Sequence, residues 1–298
     1  MCKVNPKIDL VFKKLFGSED NKDLLLSLVN SILSEKDRIS TLTLKNPYNL
    51  PDYLKGKLSV LDIKAEDENG KVYNIEMQMI GHEDFGQRTL FYLAKVFADQ
   101  IGSSGKFYDL NKTIVINIVD FDFFKEENST RYHRELGLRD LETFENYKKL
   151  DYFAIHFVEL KKYDDTTTKI KTTLERWITF LNRAAKLSKD NLPDELETTE
   201  IKKAIDELNR MYFDDIEREH YDNQQKIRMD AISLVEGAER KGLREGMEKG
   251  MEKGMEKGME KGMEKAKIET AQNLKKLGIA IELIIQATGL TKEDIEKR

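Results

Sequence analysis

Cysteine, proline and tryptophan are scarce in this chain of 298 residues, which contains one Cys, four Pro and one Trp. The single cysteine, Cys2, excludes an internal disulfide and argues against thiolate catalysis, and it is consistent with a reducing compartment. No apolar run approaches the roughly 20 residues that a membrane-spanning helix needs. The polar N-terminus also does not resemble a secretory signal. We therefore expect a cytoplasmic protein with no membrane segment.

An excess of positive charge is also missing, because 50 Lys and Arg face 55 Asp and Glu and the formal net charge is -5. Affinity for nucleic acid comes largely from clustered Lys and Arg that release counterions. Binding to DNA would therefore require the charge to be segregated along the chain. Much of the acid lies downstream, as in residues 194–200. A local positive rim is expected from Lys13, Lys14, Arg88 and Lys95.

Two neighbouring segments, residues 58–66 and 72–79, read as β-strands that each carry an acidic residue within an apolar run. The acids are Asp62 and Glu76. Because side chains alternate between the two faces of a strand, a slip of one residue would move all of them to the opposite face. The length of the loop between the strands therefore decides whether the two acids meet.

A two-residue Asn69-Gly70 turn would place Ile63 opposite Glu76. A three-residue loop, residues 68–70 with Gly70 left-handed in a bulge, places Asp62 opposite Glu76 instead. We predict the three-residue loop. One face of the hairpin then carries Asp62, Lys64, Asn74, Glu76 and Gln78, and the core face carries Ile63, Ala65, Tyr73, Ile75, Met77 and Met79.

Paired carboxylates on adjacent strands suit Mg²⁺, which takes one or two protein carboxylates and leaves its other positions to water and phosphate. The implied chemistry is metal-assisted phosphodiester hydrolysis, with Lys64 or Gln78 orienting the nucleophile. The competing interpretation is an ordinary half-solvated antiparallel strand. It is weaker for Glu76, because an unpaired carboxylate in a central strand is costly.

These residues resemble a known family. Asp62 followed by Glu76-Met77-Gln78 is similar to the core of PD-(D/E)XK nucleases, in the form used by the recombination-promoting nucleases, also called transposases of that superfamily. The chain departs from the usual superfamily pattern because Gln78 stands where a lysine is commonest. Since glutamine carries no positive charge, Lys64 on the same predicted face is the best substitute for orienting the attacking water.

The resemblance extends over nearly the whole chain. Residues 6–17 resemble the opening helix of the family, and Asp9 there is the expected supporting acid of the metal shell. The alternative for Asp9 is a helix-entry residue stabilised by the helix dipole. Further on, residues 113–119 and 152–160 are expected to be strands, and residues 174–181 a helix. His156, within the second of these strands, is read as a satisfied core histidine, and no zinc-ligand spacing is visible.

Residues 86–98 read as an amphipathic helix. Arg88 is expected to hold the scissile phosphate, and Tyr92 to hydrogen-bond beside it. The same periodicity predicts that Phe91, Ala94 and the pair Phe97-Ala98 face inward.

The resemblance implies an α/β fold with a mixed sheet flanked by helices, the restriction-endonuclease-like core, followed by an all-helical C-terminal extension. It implies a Mg²⁺-dependent DNA endonuclease linked to recombination or transposition-like processes. A first alternative is a catalytically inactive DNA-associated regulatory or assembly protein on the same scaffold. A second is an RNA nuclease.

A boundary is expected near Pro193, where the pattern changes to helix alone. We therefore predict a nuclease-like domain at 1–192, a helical extension at 193–245, a repeat segment at 246–267 and a small module at 268–298.

In the repeat segment, Gly-Met-Glu-Lys occurs five times between Gly246 and Lys265. A four-residue step overshoots the 3.6-residue turn by about 40°, so the Met and Gly stripes wind around the helix. A spacer helix is the favoured interpretation. A small-residue seam that joins two copies into a homodimer is the alternative.

The last module resembles a helix-turn-helix, in which Gly289 ends one helix and Thr291 caps the next. Its final helix is short and acidic, with Glu293, Asp294 and Glu296 where groove contacts would lie. A packing or protein-contact role is therefore favoured over reading of DNA.

Overall fold

The computed structural model describes residues 4–45, 62–102, 105–126, 129–164, 169–188 and 191–296, with Asp62 described by its backbone alone. The first part of the strand predicted at residues 58–66 and the terminal Cys2 lie outside these ranges.

Six strands form one mixed sheet in the order β1-β2-β3-β4-β6-β5. Strand β2 is antiparallel to both β1 and β3, strands β3, β4 and β6 are parallel, and β5 is antiparallel to β6. The mixed sheet and its flanking helices confirm the predicted fold class. The strands are β1 (Leu42–Leu44), β2 (Asp62–Asp67), β3 (Val72–Gln78), β4 (Thr113–Val119), β5 (His133–Leu136) and β6 (Phe153–Glu159).

Eight α-helices lie in the described part of the chain. They are α1 (Asp9–Phe16), α2 (Lys22–Ile32), α3 (Phe85–Ala98), α4 (Thr173–Arg183), α5 (Thr199–Arg210), α6 (Asp215–Lys276), α7 (Ile281–Thr288) and α8 (Lys292–Glu296). The expected strands at 113–119 and 152–160 and the helix at 174–181 are confirmed as β4, β6 and α4.

The β2–β3 hairpin has the predicted register, with Asp62 opposite Glu76. The Asp67 N–H donates to the Lys71 carbonyl at 3.0 Å, so the loop consists of residues 68–70. Gly70 has a φ of 79°, the left-handed conformation that glycine adopts without a steric penalty. The three-residue loop is therefore confirmed.

The core face of the hairpin packs against α1, α2, α4 and α5 in one continuous apolar cluster. Five of the six side chains predicted for this face are buried, namely Ile63, Ala65, Tyr73, Ile75 and Met77, and the sixth, Met79, is half-buried against the same core. Trp177 of α4 lies in the same core, and its indole N–H donates to Ser27 Oγ at 3.2 Å. The alternation along the strands thus determines which face the helices cover.

Helix α3 covers the opposite face of the sheet, but with a different side from the one predicted. Its buried residues are Phe85, Thr89, Leu93 and Val96. Phe91, predicted to face inward, is 64% exposed, and Ala94 and Ala98 are exposed while Phe97 is half-buried. The prediction is wrong because apolar residues occur all around this helix, and the strands below it present polar groups that Thr89 and Arg88 can pair with.

The change of pattern at Pro193 lies inside the first compact unit of the chain. Helix α5 places Ile201, Ala204, Ile205 and Leu208 in the same core as α1 and α2. The chain splits into two compact units, which divide between Met229 and Asp230. The apolar stripe of α5 is buried within the first unit, and the four-part division expected from the sequence stays a prediction.

The second unit begins at Asp230 and includes the repeats, all of which are helical within α6. After α6, Ala271, Ile284 and Ile295 form a small separate core. Gly289 ends α7 with a φ of 69°, and Thr291 Oγ1 accepts the Asp294 N–H at 3.3 Å at the start of α8. The predicted turn is confirmed. Across the described ranges, no helix has the length and apolarity to cross a membrane.

Candidate active site

Glu76 lies at the centre of the sheet. It pairs with Asp62 across the antiparallel β2 and with Asn117 across the parallel β4. Its position among apolar neighbours on a central strand buries it to 2% exposure. A buried carboxylate needs compensating charge or hydrogen bonds, since desolvation of an ion costs several kcal/mol in a protein interior. The fold supplies that compensation from α3.

Arg88 of α3 is one compensating group. Its Nη2 donates to Glu76 Oε1 at 2.9 Å and to Gln78 Oε1 at 3.1 Å. The guanidinium also lies 5.1 Å from the centre of the Phe85 ring. The sequence analysis predicts that Arg88 holds the scissile phosphate, but in the structure it faces the acid and the glutamine. Nothing in the spacing of α3 indicates this ion pair.

Gln78 occupies the position that a lysine takes in most of the superfamily. Its amide Nε2 donates to the Ile80 carbonyl at 3.0 Å while its Oε1 accepts from Arg88. The amide is thereby oriented from both ends. Because it is neutral, it adds an oxygen ligand to this face and no positive charge.

A layer of buried polar side chains lies on this face between the sheet and α3. Asn117 Nδ2 donates to the His156 carbonyl at 3.3 Å, and Thr89 Oγ1 lies 3.5 Å from Asn117 Oδ1. Asn74 is fully buried, and neither end of its amide has a hydrogen-bond partner among the described residues. The alternation of side chains along β3 predicts that Asn74 lies on this face, but it assigns no role to this residue. Asn117 was not predicted as a site residue, because the sequence of β4 is apolar on both sides of it.

The remaining site candidates lie on β2 and α3. Lys64 pairs with Asn74 across β2 and β3 and is half-buried. Tyr92 is half-buried on α3, with its ring 5.6 Å from that of Phe91. The side chain of Asp62 lies outside the described residues, so the meeting of the two carboxylates stays a prediction that rests on the backbone register.

Asp9 is the first residue of α1 and is buried. It lines a cavity of about 140 Å³ together with Gln78 and Arg228. The structure thus brings Asp9 to the end of β3 where Gln78 lies, although the two are far apart in the chain. Both its expected role as a metal acid and its alternative as a helix-entry residue are consistent with this position.

Asp120, at the carboxyl end of β4, is an acid that the sequence analysis missed. Its backbone N–H donates to the Gln78 carbonyl at 2.9 Å, and its carboxylate accepts from Lys7 Nζ at 2.8 Å. Arg228 Nη2 lies 3.7 Å from the other carboxylate oxygen. The sequence does contain a signal for Asp120, because this acid directly follows the apolar run of β4.

The predicted positive rim is not formed by its first two members. Lys13 is buried, and Lys14 Nζ donates to both carboxylate oxygens of Glu217 at 2.6 and 2.7 Å. The reason is the packing of residues after Pro193 onto α1, which the sequence pattern does not indicate. Lys95 is exposed on α3.

The donor set on this face has the chemistry that Mg²⁺ requires, namely the carboxylate of Glu76 and the amide oxygen of Gln78. Within the described side chains, which do not include that of Asp62, no group of three or more His, Cys, Asp or Glu is placed to hold a metal ion. Glu76 and Gln78 thus offer two protein oxygens. This number fits a magnesium ion, because that ion also takes water and phosphate as ligands.

His156 is a core histidine, as expected, and its partner is a second histidine. His133 Nε2 lies 3.1 Å from His156 Nδ1, and the two rings stack at 11°. Burial, with a smaller effect of His133, lowers the pKa of His156 to about 3, and burial also lowers the pKa of His133. The pair is therefore neutral near pH 7, and it lies on the core face of the sheet, away from Glu76.

The mixed sheet, the hairpin that pairs two acids and the helices on both faces define an α/β protein with a nuclease-like core. The sequence matches the family described as PD-(D/E)XK nuclease family transposase over residues 6–238. The chain belongs to this family, which confirms the resemblance and indicates a nuclease or transposase-like function. No curated protein and no solved structure matches the chain.

Proposed function

We propose that this protein is a metal-dependent endonuclease that hydrolyses phosphodiester bonds in DNA. The observation that carries the proposal is the hairpin register, which sets Asp62 opposite Glu76 on the face that also holds Lys64 and Gln78. On that face Asn74 and Glu76 are buried while Lys64 and Gln78 are half-buried, unlike the polar face of an ordinary surface strand. A centrally buried Glu76 is therefore better explained by function than by solubility.

In this proposal Asp62 and Glu76 hold Mg²⁺, and Asp9 completes the shell from the start of α1. When bound, the ion would lower the pKa of a water and neutralise charge on the phosphate. Asp9 is included because it lines the same cavity as Gln78.

Lys64 is the proposed group that orients the attacking water. Gln78 lacks charge, and its amide is held between Arg88 and the Ile80 carbonyl, which restricts its reorientation. Lys64 lies on β2 two residues from Asp62, and the alternation of side chains along a strand predicts that the two belong to one face. Gln78 then has a positioning role beside Glu76.

Arg88 and Tyr92 are the proposed contacts to the DNA backbone from α3. They lie one helical turn apart and are both half-buried, with Arg88 nearer to Glu76. An arginine fork can bind a phosphate through two parallel hydrogen bonds. The family links the activity to recombination or transposition-like events. A cytoplasmic location stays a prediction.

Cleavage of supercoiled plasmid tests the proposal against an inactive scaffold. The wild type should need Mg²⁺, and Asp62→Ala, Glu76→Ala and Lys64→Gln should each lower the rate by about 10² to 10³-fold. Lys149→Gln removes the same charge as Lys64→Gln from an exposed residue with no proposed role, and it should cleave like the wild type. Intact plasmid under all conditions, with folded protein, would favour the non-catalytic alternative.

Competition separates DNA from RNA as substrate. Labelled duplex DNA is incubated with Mg²⁺ and an excess of unlabelled single-stranded RNA or duplex DNA. DNA cleavage that persists in RNA and falls with duplex DNA supports the proposed substrate. If the RNA competitor lowers cleavage of the labelled DNA more than the DNA competitor does, the protein is an RNA nuclease.

A further inference from the structure

The ion pair between Arg88 and Glu76 uses one oxygen of the carboxylate that is proposed to hold the metal. We propose that Arg88 and the metal compete for Glu76, and that metal entry releases Arg88 to bind the phosphate of the substrate. This inference rests on the proposed function, and it adds an order of events to it. Metal binding and phosphate binding become coupled through one side chain.

Competition follows from the geometry. Arg88 Nη2 lies 2.9 Å from Glu76 Oε1, a normal charge-assisted hydrogen bond. A guanidinium and a divalent ion on one buried carboxylate repel each other, and the side chain of Glu76 is 3% exposed, which leaves little room for a second approach. We therefore expect a divalent ion that binds Glu76 to displace the guanidinium.

Arg88 is held in a way that allows exchange. Nη2 makes both of its hydrogen bonds to the acid and the glutamine, whereas its Nε is buried and has no hydrogen-bond partner among the described residues. The side chain is also 26% exposed, on a long flexible stem. Displacement by a divalent ion would give Glu76 a replacement charge, so the acid would not be left buried and uncompensated.

Release would place a guanidinium beside the metal at the solvent side of α3. Guanidinium presents five donors in a planar fork that matches a phosphate. Affinity of Arg88 for DNA phosphate should then appear only when metal is bound, and by linkage DNA should raise the affinity for metal by the same factor. This is the coupling that the ion pair predicts.

Calorimetric titration of the full chain with Mn²⁺, in the absence of DNA, tests the competition. Loss of a charge-assisted hydrogen bond to the competing group is expected to make Arg88→Gln bind Mn²⁺ about tenfold more tightly than the wild type. Arg88→Lys should bind with an affinity between the two, because it keeps the charge without the fork. Lys95→Gln removes a charge from the same helix and should leave the affinity unchanged.

Glu76→Gln separates failure of this inference from failure of the proposed function. If it abolishes Mn²⁺ binding while Arg88→Gln leaves the affinity unchanged or weaker, the metal site stands and the competition is overturned. If the wild type binds no Mn²⁺, or if Glu76→Gln binds like the wild type, both proposals fail. Circular dichroism of each variant confirms that it is folded.

Fluorescence anisotropy with a short duplex and Ca²⁺, an ion that accepts oxygen ligands in a looser geometry than Mg²⁺, tests the coupling. Arg88→Gln should weaken DNA binding about tenfold with Ca²⁺ and leave it unchanged in EDTA. An equal loss under both conditions would show that Arg88 contacts DNA without exchange, and would overturn the coupling.

Discussion

Asp62 lies directly opposite Glu76 because the β2–β3 loop contains three residues and closes on a left-handed Gly70. A side chain at position 70 would disfavour that conformation, and an added Cβ would lie 3.0 Å from Asn111 Nδ2. The geometry of the candidate site thus depends on a residue at the far end of the hairpin.

Gly70→Ala should lower the free energy of unfolding by about 1–2 kcal/mol, the cost of a left-handed alanine. Gly70→Asn should cost less, because asparagine tolerates this conformation. Urea unfolding followed by circular dichroism measures both. Equal stability of the alanine variant and the wild type would show that the loop adopts another turn in solution.

The hairpin could be predicted because its determinants are local. Alternation along β2 and β3 and one glycine after Asn69 were sufficient to choose the register. Strand β4 and helix α4 were likewise visible as a continuous apolar run and an apolar periodicity.

The features that could not be predicted from the sequence depend on contacts between distant segments of the chain. The sequence does not show that α5 packs on α1 and α2, that Glu217 pairs with Lys14, or that His133 meets His156 across the sheet edge. Helix α3 has apolar residues on several sides, so its sequence does not determine which side is buried. The polar side chains of the sheet beneath it determine that side. The pairing of Arg88 with Glu76 follows from that selection.

Asn74 is a fully buried amide without a hydrogen-bond partner among the described residues, beside the candidate site. Buried polar groups of this kind are costly and tend to occur where function requires them. Asn74→Leu should therefore raise the free energy of unfolding by about 1 kcal/mol, while plasmid cleavage should fall about tenfold or more.

Asn117→Leu is the matched control for Asn74→Leu. Asn117 lies on the adjacent strand and hydrogen-bonds to the His156 carbonyl, so its loss should destabilise the protein by about 1–3 kcal/mol. Chemical unfolding of both variants gives the comparison. If Asn74→Leu destabilises as much as Asn117→Leu, then Asn74 has a structural role.

The His133–His156 pair should make stability fall in mildly acidic solution. Burial lowers both pKa values below the ordinary value of about 6.5. The unfolded chain then binds more protons than the folded one below pH 6.5, so the stabilisation is present above that pH and is lost as pH falls. Below pH 6.5, each histidine that stays neutral in the folded protein lowers the free energy of unfolding by about 1.4 kcal/mol for every pH unit of acidification.

His156→Gln keeps a neutral hydrogen-bonding group at this position and should reduce the loss of stability between pH 7.5 and 5.5, measured by urea unfolding at both values. His82→Gln is the control, because His82 is exposed. A pH dependence of His156→Gln equal to that of the wild type would show that the pair is protonated in the folded state.

The repeat segment of α6 can serve either as a spacer or as a seam between two copies. Its methionines are 58–76% exposed, and apart from the adjoining residues and backbone of the helix itself, no atom of the described residues lies within 4 Å of a Cβ added at Gly250 or Gly254. Deletion of residues 250–257 removes two repeats and rotates the C-terminal part of the helix by about 80°, since eight residues span about 800° at 3.6 per turn. Because every repeat advances by the same angle, the remaining Met and Gly stripes stay continuous. A seam would lose two of its five repeats, whereas a spacer would only be shorter.

We expect this deletion to leave plasmid cleavage and the mass measured by light scattering unchanged. A second variant, Gly250→Ala with Gly254→Ala, keeps the length and should stabilise the helix by about 1 kcal/mol per substitution, seen as slower amide hydrogen exchange in α6. A large fall in cleavage together with a change from dimer to monomer on deletion would establish the seam instead, because loss of two repeats separates two copies only where the repeats form their interface.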